Sequence, residues 1–98
     1  MDATYRRAFG QALKEVRTER AMTQQDLDFA SGIHRTTISQ WERGVYLPSF
    51  KNFLALCEGL EVAPSELLRL TELKIASLKR KRRPLPPPPR GRPRRKPG

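Results

Sequence analysis

Residues that commonly carry catalysis or bind metals are scarce in this sequence. Its 98 residues include one cysteine, one histidine and one tryptophan. A single cysteine excludes an internal disulfide, and no metal-ligand spacing, glycine-rich phosphate loop or paired nucleophile and base is present. We therefore expect a protein that is not an enzyme, that has no cofactor and no metal site, and that has no evident small-molecule ligand.

Long hydrophobic runs are absent as well. No apolar stretch approaches the about 18–20 residues that a membrane span requires. The first ten residues, MDATYRRAFG, lack the hydrophobic segment of a secretory signal. Together with the low cysteine content, these features predict one small cytoplasmic domain with no membrane partner.

Acidic residues are missing from the last quarter of the chain. The net charge is +10, but residues 1–73 contain nine Lys or Arg and ten Asp or Glu, whereas residues 74–98 contain eleven basic residues and no acid. This asymmetry indicates a polyanionic partner, although a tail that only aids solubility is the plainer alternative. Seven of the last fifteen residues are proline, so we predict disorder over residues 84–98.

Residues 23–44, TQQDLDFASGIHRTTISQWERG, predict two short helices joined by a tight turn. Thr23 followed by Asp26 is a helix start signal, and Gly32 allows the left-handed conformation that a sharp turn needs. In the second helix, predicted over about residues 35–43, Ile38 and Trp41 share an apolar face. The opposite face carries positively charged, amide and hydroxyl side chains, which suit hydrogen bonding to base edges in a DNA major groove. These residues are Arg35, Thr36, Ser39, Gln40 and Arg43.

Three further helices are predicted around this pair. Residues 4–20 form the first, in which Gly10 should lower helix stability by about 1 kcal/mol relative to alanine. The fourth covers about residues 50–59, with Phe53, Leu54, Cys57 and Leu60 expected to point inward and Cys57 expected to fill the core rather than react. The fifth begins at Pro64 and runs to about residue 80, where its extra leucines indicate either a small pairing surface or a frayed end.

An ordered set of residues between positions 5 and 72 carries a specific resemblance. The set comprises Leu13, Arg17, residues 22–24, Leu27, residues 32–33, 38–39, 41–44 and 48–49, Leu54, Leu60, Val62 and residues 64–68. It resembles the Cro/CI-type helix-turn-helix domain of the lambda-repressor-like superfamily, the XRE family. The resemblance implies a compact, all-α, five-helix domain over residues 4–72. Beyond the usual end of this family, the sequence itself predicts a basic helical extension over 73–83 and the tail over 84–98.

The resemblance also implies which residues contact double-stranded DNA. Base reading is assigned to the helix over residues 35–43 and its start: His34, Arg35, Thr36, Ser39 and Gln40. Phosphate binding is assigned to Thr23, Gln24 and Arg43. Arg17 and Glu42 are expected to form a structural ion pair between the first helix and the recognition helix. The implied function is a bacterial transcriptional repressor in the nucleoid, acting as a homodimer on DNA.

Three residues depart from the pattern of this family. His34 stands where Ser or Thr usually caps the recognition helix, and Glu61 replaces a usual glycine between the last two helices. Asp28 replaces a usual alanine, where its carboxylate either caps the recognition helix or perturbs its docking.

The tail contains a second motif. Arg90, Gly91, Arg92 and Pro93, flanked by basic residues, resemble an AT-hook, which places two arginines along a narrow A·T minor groove. Generic basic disorder that happens to contain this sequence is the alternative.

A different function class also fits the composition. In an antitoxin-type autoregulator, the same domain would bind DNA while the basic tail bound an acidic protein partner. Binding of the tail to RNA or to an anionic membrane is less favoured, because residues 84–98 contain no aromatic side chain for base stacking or insertion.

Overall fold

The computed structural model describes residues 3–82, and within them the chain forms five α-helices and no strand. The helices are α1 (Ala3–Glu19), α2 (Gln24–Ser31), α3 (Arg35–Glu42), α4 (Phe50–Leu60) and α5 (Pro64–Arg82). This architecture confirms the all-α, five-helix fold expected from the sequence. The predicted disordered tail and its AT-hook residues Arg90, Gly91, Arg92 and Pro93 lie outside the described residues.

Side-chain and glycine caps set the ends of the short helices. At the start of α2, the backbone N–H of Asp26 donates to Thr23 Oγ1 over 3.0 Å, while the N–H of Thr23 donates to Asp26 Oδ2 over 2.8 Å. This reciprocal pair satisfies two N–H groups that the first helical turn leaves free. Gly32 ends α2 in the left-handed region at φ 79°, which turns the chain directly into α3.

The hydrophobic core contains side chains from all five helices. Its members are fully or almost fully buried: Phe9, Ala12, Leu13, Val16, Leu27, Ile38, Trp41, Phe53, Leu56, Cys57, Leu60 and Leu67. Burying a Leu, Ile or Phe side chain contributes about 1.5–3 kcal/mol. Cys57 belongs to this core, as expected, and its burial raises the pKa of the thiol.

Two apolar side chains, Leu54 and Phe29, are exposed rather than buried. Leu54 is 40% exposed, and Leu56 is buried in its place. The buried positions Phe53, Leu56 and Leu60 follow the spacing of three and four residues that keeps side chains on one helix face. Phe29 on α2 points to solvent and is 76% exposed.

Helix α5 continues without a break to Arg82 and runs antiparallel to α1. Lys74 Nζ lies 2.6 Å from Glu15 Oε1, and further along α5 Lys79 Nζ lies 5.6 Å above the ring of Tyr5. Leu78 is buried in the last part of the helix. These contacts favour a docked helix over a frayed end for residues 73–82. Across residues 3–82, none of the helices combines the length and apolar character needed to cross a bilayer.

Candidate nucleic-acid interface

Helix α3 separates an apolar face from a polar one. Ile38 and Trp41 are buried on the inner face. On the outer face, Arg35 and Thr36 are exposed, and Ser39 and Gln40 are half-buried. The helix is therefore fixed to the domain by one side, while hydrogen-bonding groups line the other.

The inner face of α3 lies very close to α1 at Gly10. A Cβ atom built on Gly10 would lie 2.5 Å from the carbonyl oxygen of Trp41 and 2.6 Å from that of Glu42. Only a residue without a side chain permits this approach. The sequence analysis treated Gly10 only as a residue that destabilises α1, and it did not predict this close approach of α1 and α3. A glycine beside the apolar stripe of a helix was the feature that could have indicated it.

The carboxylate of Glu42 joins three helices at the C-terminal end of α3. Arg17 donates to it from Nε over 2.6 Å and from Nη2 over 3.0 Å, and Gln24 Nε2 donates over 3.0 Å. Arg17 also donates from Nη1 to the carbonyl of Met22 over 2.7 Å. The Arg17 and Glu42 side chains are 10% and 4% exposed, so the ion pair is well shielded from water. Removing one partner of such a buried pair typically costs about 3–5 kcal/mol.

The N-terminal end of α3 is capped by two side chains. His34 Nδ1 accepts the backbone N–H of Thr36, and Asp28 Oδ2 accepts the N–H of Arg35, each over 3.0 Å. Of the two roles considered for Asp28, the structure shows the cap. The Nδ1 atom of His34 is directed at its own helix, which leaves Nε2 as the ring nitrogen open to other contacts.

Asp28 also contacts the side chain of the arginine that it caps. Arg35 Nε lies 3.5 Å from Asp28 Oδ2, and about half of the Arg35 side chain is exposed. One carboxylate thus touches both the backbone and the guanidinium of the first residue of α3.

A tyrosine outside α3 contacts one of its outward-facing side chains. The hydroxyl of Tyr46 donates to Gln40 Oε1 over 3.0 Å, and the Tyr46 ring packs edge-on against Trp41 with centroids 6.4 Å apart. Sequence reasoning missed Tyr46 because a loop residue six positions from Gln40 shows no periodic relation to it.

The residues assigned to phosphate binding lie at two neighbouring places. Thr23 caps α2 and Gln24 is its first residue, where the positive end of the helix dipole favours an anion. Arg43 is exposed directly after α3.

Asp26 also lies at the start of α2. Its pKa is lowered because the backbone N–H of Thr23, and to a smaller extent the Thr23 side chain, hydrogen-bond its carboxylate.

The arrangement brings most of the predicted site residues onto one surface. Arg35, Thr36, Ser39 and Gln40 share the outer face of α3, and Glu42 links that helix to Gln24 at the start of α2. Within residues 3–82, no group of three or more His, Cys, Asp or Glu side chains is placed to hold a metal ion.

Comparisons with known proteins identify relatives of this chain. A family model described as helix-turn-helix matches residues 13–67, more than half of the sequence. The control protein C.BamHI from Bacillus amyloliquefaciens is 35% identical over 74 residues, which cover 74% of this chain and 91% of that protein.

Solved structures give the same assignment. The restriction-modification controller protein C.AhdI from Aeromonas hydrophila is 39% identical, with a TM-score of 0.61 over 63% of this chain and 94% of its own. The controller protein C.Esp1396I, solved as a tetramer with its natural 35-base-pair operator, is 29% identical, with a TM-score of 0.69 over 74% of this chain and 95% of its own. The chain therefore belongs to the helix-turn-helix family of DNA-binding transcription regulators.

Proposed function

We propose that this protein binds a specific double-stranded DNA operator and represses transcription from it. The observation that carries the proposal is the outer face of α3, which presents Arg35, Thr36, Ser39 and Gln40 on a helix held at both ends. A helix of this width fits the DNA major groove, where each base pair offers a distinct pattern of donors and acceptors. Recognition of base pairs in the groove requires polar side chains that face outward from a helix whose position is fixed.

Contacts to bases and contacts to phosphates have different roles in this proposal. Arg35 offers guanidinium donors to guanine O6 and N7, and Gln40 offers its amide to adenine. Each good bidentate pair discriminates by about 1–3 kcal/mol. Thr23, Gln24 and Arg43 contact phosphates, which fix the register without reading sequence. Each neutralised phosphate adds about 0.9 to the slope of log affinity against log salt concentration.

We propose that two copies bind a two-fold operator. The relative C.Esp1396I is described as a tetramer in complex with a 35-base-pair operator. Half-sites one helical turn apart, about 34–36 Å, match the symmetry of a helix-turn-helix dimer. The basic run at residues 79–83 and the tail would then add phosphate contacts, and Arg90 and Arg92 would enter an A·T-rich minor groove beside the operator.

Selection from a randomised duplex library with the full chain tests the proposal. The wild type should enrich a two-fold motif at near-physiological salt. Arg35→Ala should lose affinity for that motif while retaining its affinity for unrelated duplexes. Arg69→Ala, which removes an exposed cation from α5, is the matched control and should retain the motif. Enrichment of no motif by the wild type would overturn the proposal.

A further inference from the structure

We propose that Asp28 is a positioning residue that fixes the base preference of Arg35. This inference rests on the proposed function, because it concerns how the reading helix discriminates among bases. It assigns guanine to the base facing Arg35, and it assigns the selectivity for guanine partly to a residue that lies on α2 rather than on α3.

The first step is the geometry around the carboxylate. Asp28 lies in α2, and its Oδ2 atom accepts the backbone N–H of Arg35 over 3.0 Å and lies 3.5 Å from Arg35 Nε. The Asp28 side chain is mostly shielded, whereas the Arg35 side chain is about half exposed. The carboxylate is therefore anchored to the backbone of α3 and contacts the inner edge of the guanidinium.

The second step concerns which donors remain. A guanidinium has five N–H donors in a planar fork, and one of them belongs to Nε. Because Nε is the guanidinium nitrogen that approaches Asp28, at 3.5 Å from Oδ2, the Nη1 and Nη2 groups remain available as a pair of donors. Two parallel donors match guanine O6 and N7, whereas adenine presents one acceptor and one donor, and thymine presents one acceptor and a methyl group.

The third step is electrostatic and conformational. Arg35 is the first residue of α3, where the positive end of the helix dipole disfavours a cation. The Asp28 carboxylate offsets this repulsion and restricts a long, flexible side chain before DNA arrives. Immobilising such a side chain during binding typically weakens association by about 2- to 12-fold, and an arginine that is already oriented avoids most of that loss.

A positioning role and a purely structural role predict different outcomes. Asp28→Asn keeps an oxygen that can cap the Arg35 N–H, since asparagine is as good an N-cap acceptor as aspartate, but it removes the charge that holds the guanidinium. Loss of positioning should affect only the base pair read by Arg35. Loosening of α3 as a whole should weaken the preference at every base pair that the helix reads, including the one facing Gln40.

The experiment compares full-length wild type, Asp28→Asn and Asp28→Ala in binding to the selected motif and to duplexes with single base-pair changes. Asp28→Asn should lower the preference for guanine at the Arg35 position by about 2- to 12-fold. Its affinity for an unrelated duplex should rise, because an acidic group near the phosphates is gone. Glu72→Gln on α5 makes the same charge change at an exposed position and should leave the preference intact.

A double-mutant cycle measures the coupling between Asp28 and Arg35 in base preference. In an Arg35→Ala background, Asp28→Asn should have no further effect on base preference, and thermal unfolding should show that both proteins are folded. An unchanged guanine preference in Asp28→Asn would overturn this inference alone. A wild type without any base preference would overturn the proposed function and this inference together.

Discussion

Replacing Gly10 by alanine should destabilise the domain, although alanine is the better helix former. The added methyl group would lie 2.5 Å from the Trp41 carbonyl oxygen, 2.6 Å from the Glu42 oxygen and 2.9 Å from the Glu42 carbonyl carbon. All three are backbone atoms, which cannot rotate away as a flexible side chain could. The two helices must therefore separate, and the buried Arg17–Glu42 pair lies directly beside the point of crossing.

The expected magnitude follows from two opposing effects. Glycine to alanine within a helix favours the folded state by about 1 kcal/mol. Inserting a methyl group into a tightly packed contact typically costs about 1–3 kcal/mol, and contacts this short place Gly10 at the upper end. The free energy of unfolding should fall by about 2 kcal/mol, which lowers the Tm of a domain of this size by about 8–16 °C.

Urea and thermal unfolding can measure this change through the single tryptophan, because Trp41 is buried at the crossing itself. Gln11, the next residue in α1, is exposed and provides the control. The variant Gln11→Ala should be more stable than Gln11→Gly, so the preference between alanine and glycine reverses between the two adjacent positions. If Gly10→Ala raised the Tm, the close crossing of α1 and α3 would be refuted.

Three further outcomes are expected. Tyr46→Phe removes the hydroxyl that holds Gln40 Oε1, so it should change the base preference at the Gln40 position in competition binding while the Tm stays nearly constant. Glu61 ends α4 in the left-handed region at φ 56°, so Glu61→Gly should raise the free energy of unfolding by about 1 kcal/mol in urea denaturation. Asp26 has a lowered pKa in the folded protein, so its contribution to stability is present above the unfolded-state pKa of about 3.9 and is lost as the pH falls through the lower folded value. The stability difference between wild type and Asp26→Asn, measured by unfolding at several pH values, should therefore shrink in acid; a constant difference would contradict this assignment.

Local sequence signals were sufficient for the helices and for the outer face of α3. Thr23, Gly32 and Pro64 mark helix ends through chemistry that acts within a few residues, and the structure places helix ends at or beside all three. The periodicity of Ile38 and Trp41 likewise fixed which side of α3 faces inward. These features depend on short-range geometry, which a sequence encodes directly.

Contacts between distant parts of the chain were harder to predict. Leu54 and Leu56 are both apolar residues of α4, and only the direction from which α2 and α5 approach decides that Leu56 is buried. The role of Gly10 depends on the path of another backbone, and that of Tyr46 depends on the conformation of a loop. Each of these roles depends on tertiary packing, which cannot be predicted from helix propensity or from the spacing of hydrophobic residues.

The shared carboxylate of Glu42 has a mechanical consequence. Because the same group is bound by Arg17 of α1 and Gln24 of α2, the start of α2 and the end of α3 are joined through one carboxylate. In the proposed complex, the protein would therefore set the distance between a phosphate bound at the start of α2 and the bases that face α3. DNA with a wider or narrower groove would have to deform to make both contacts, so groove width would contribute to the sequence preference of the proposed complex.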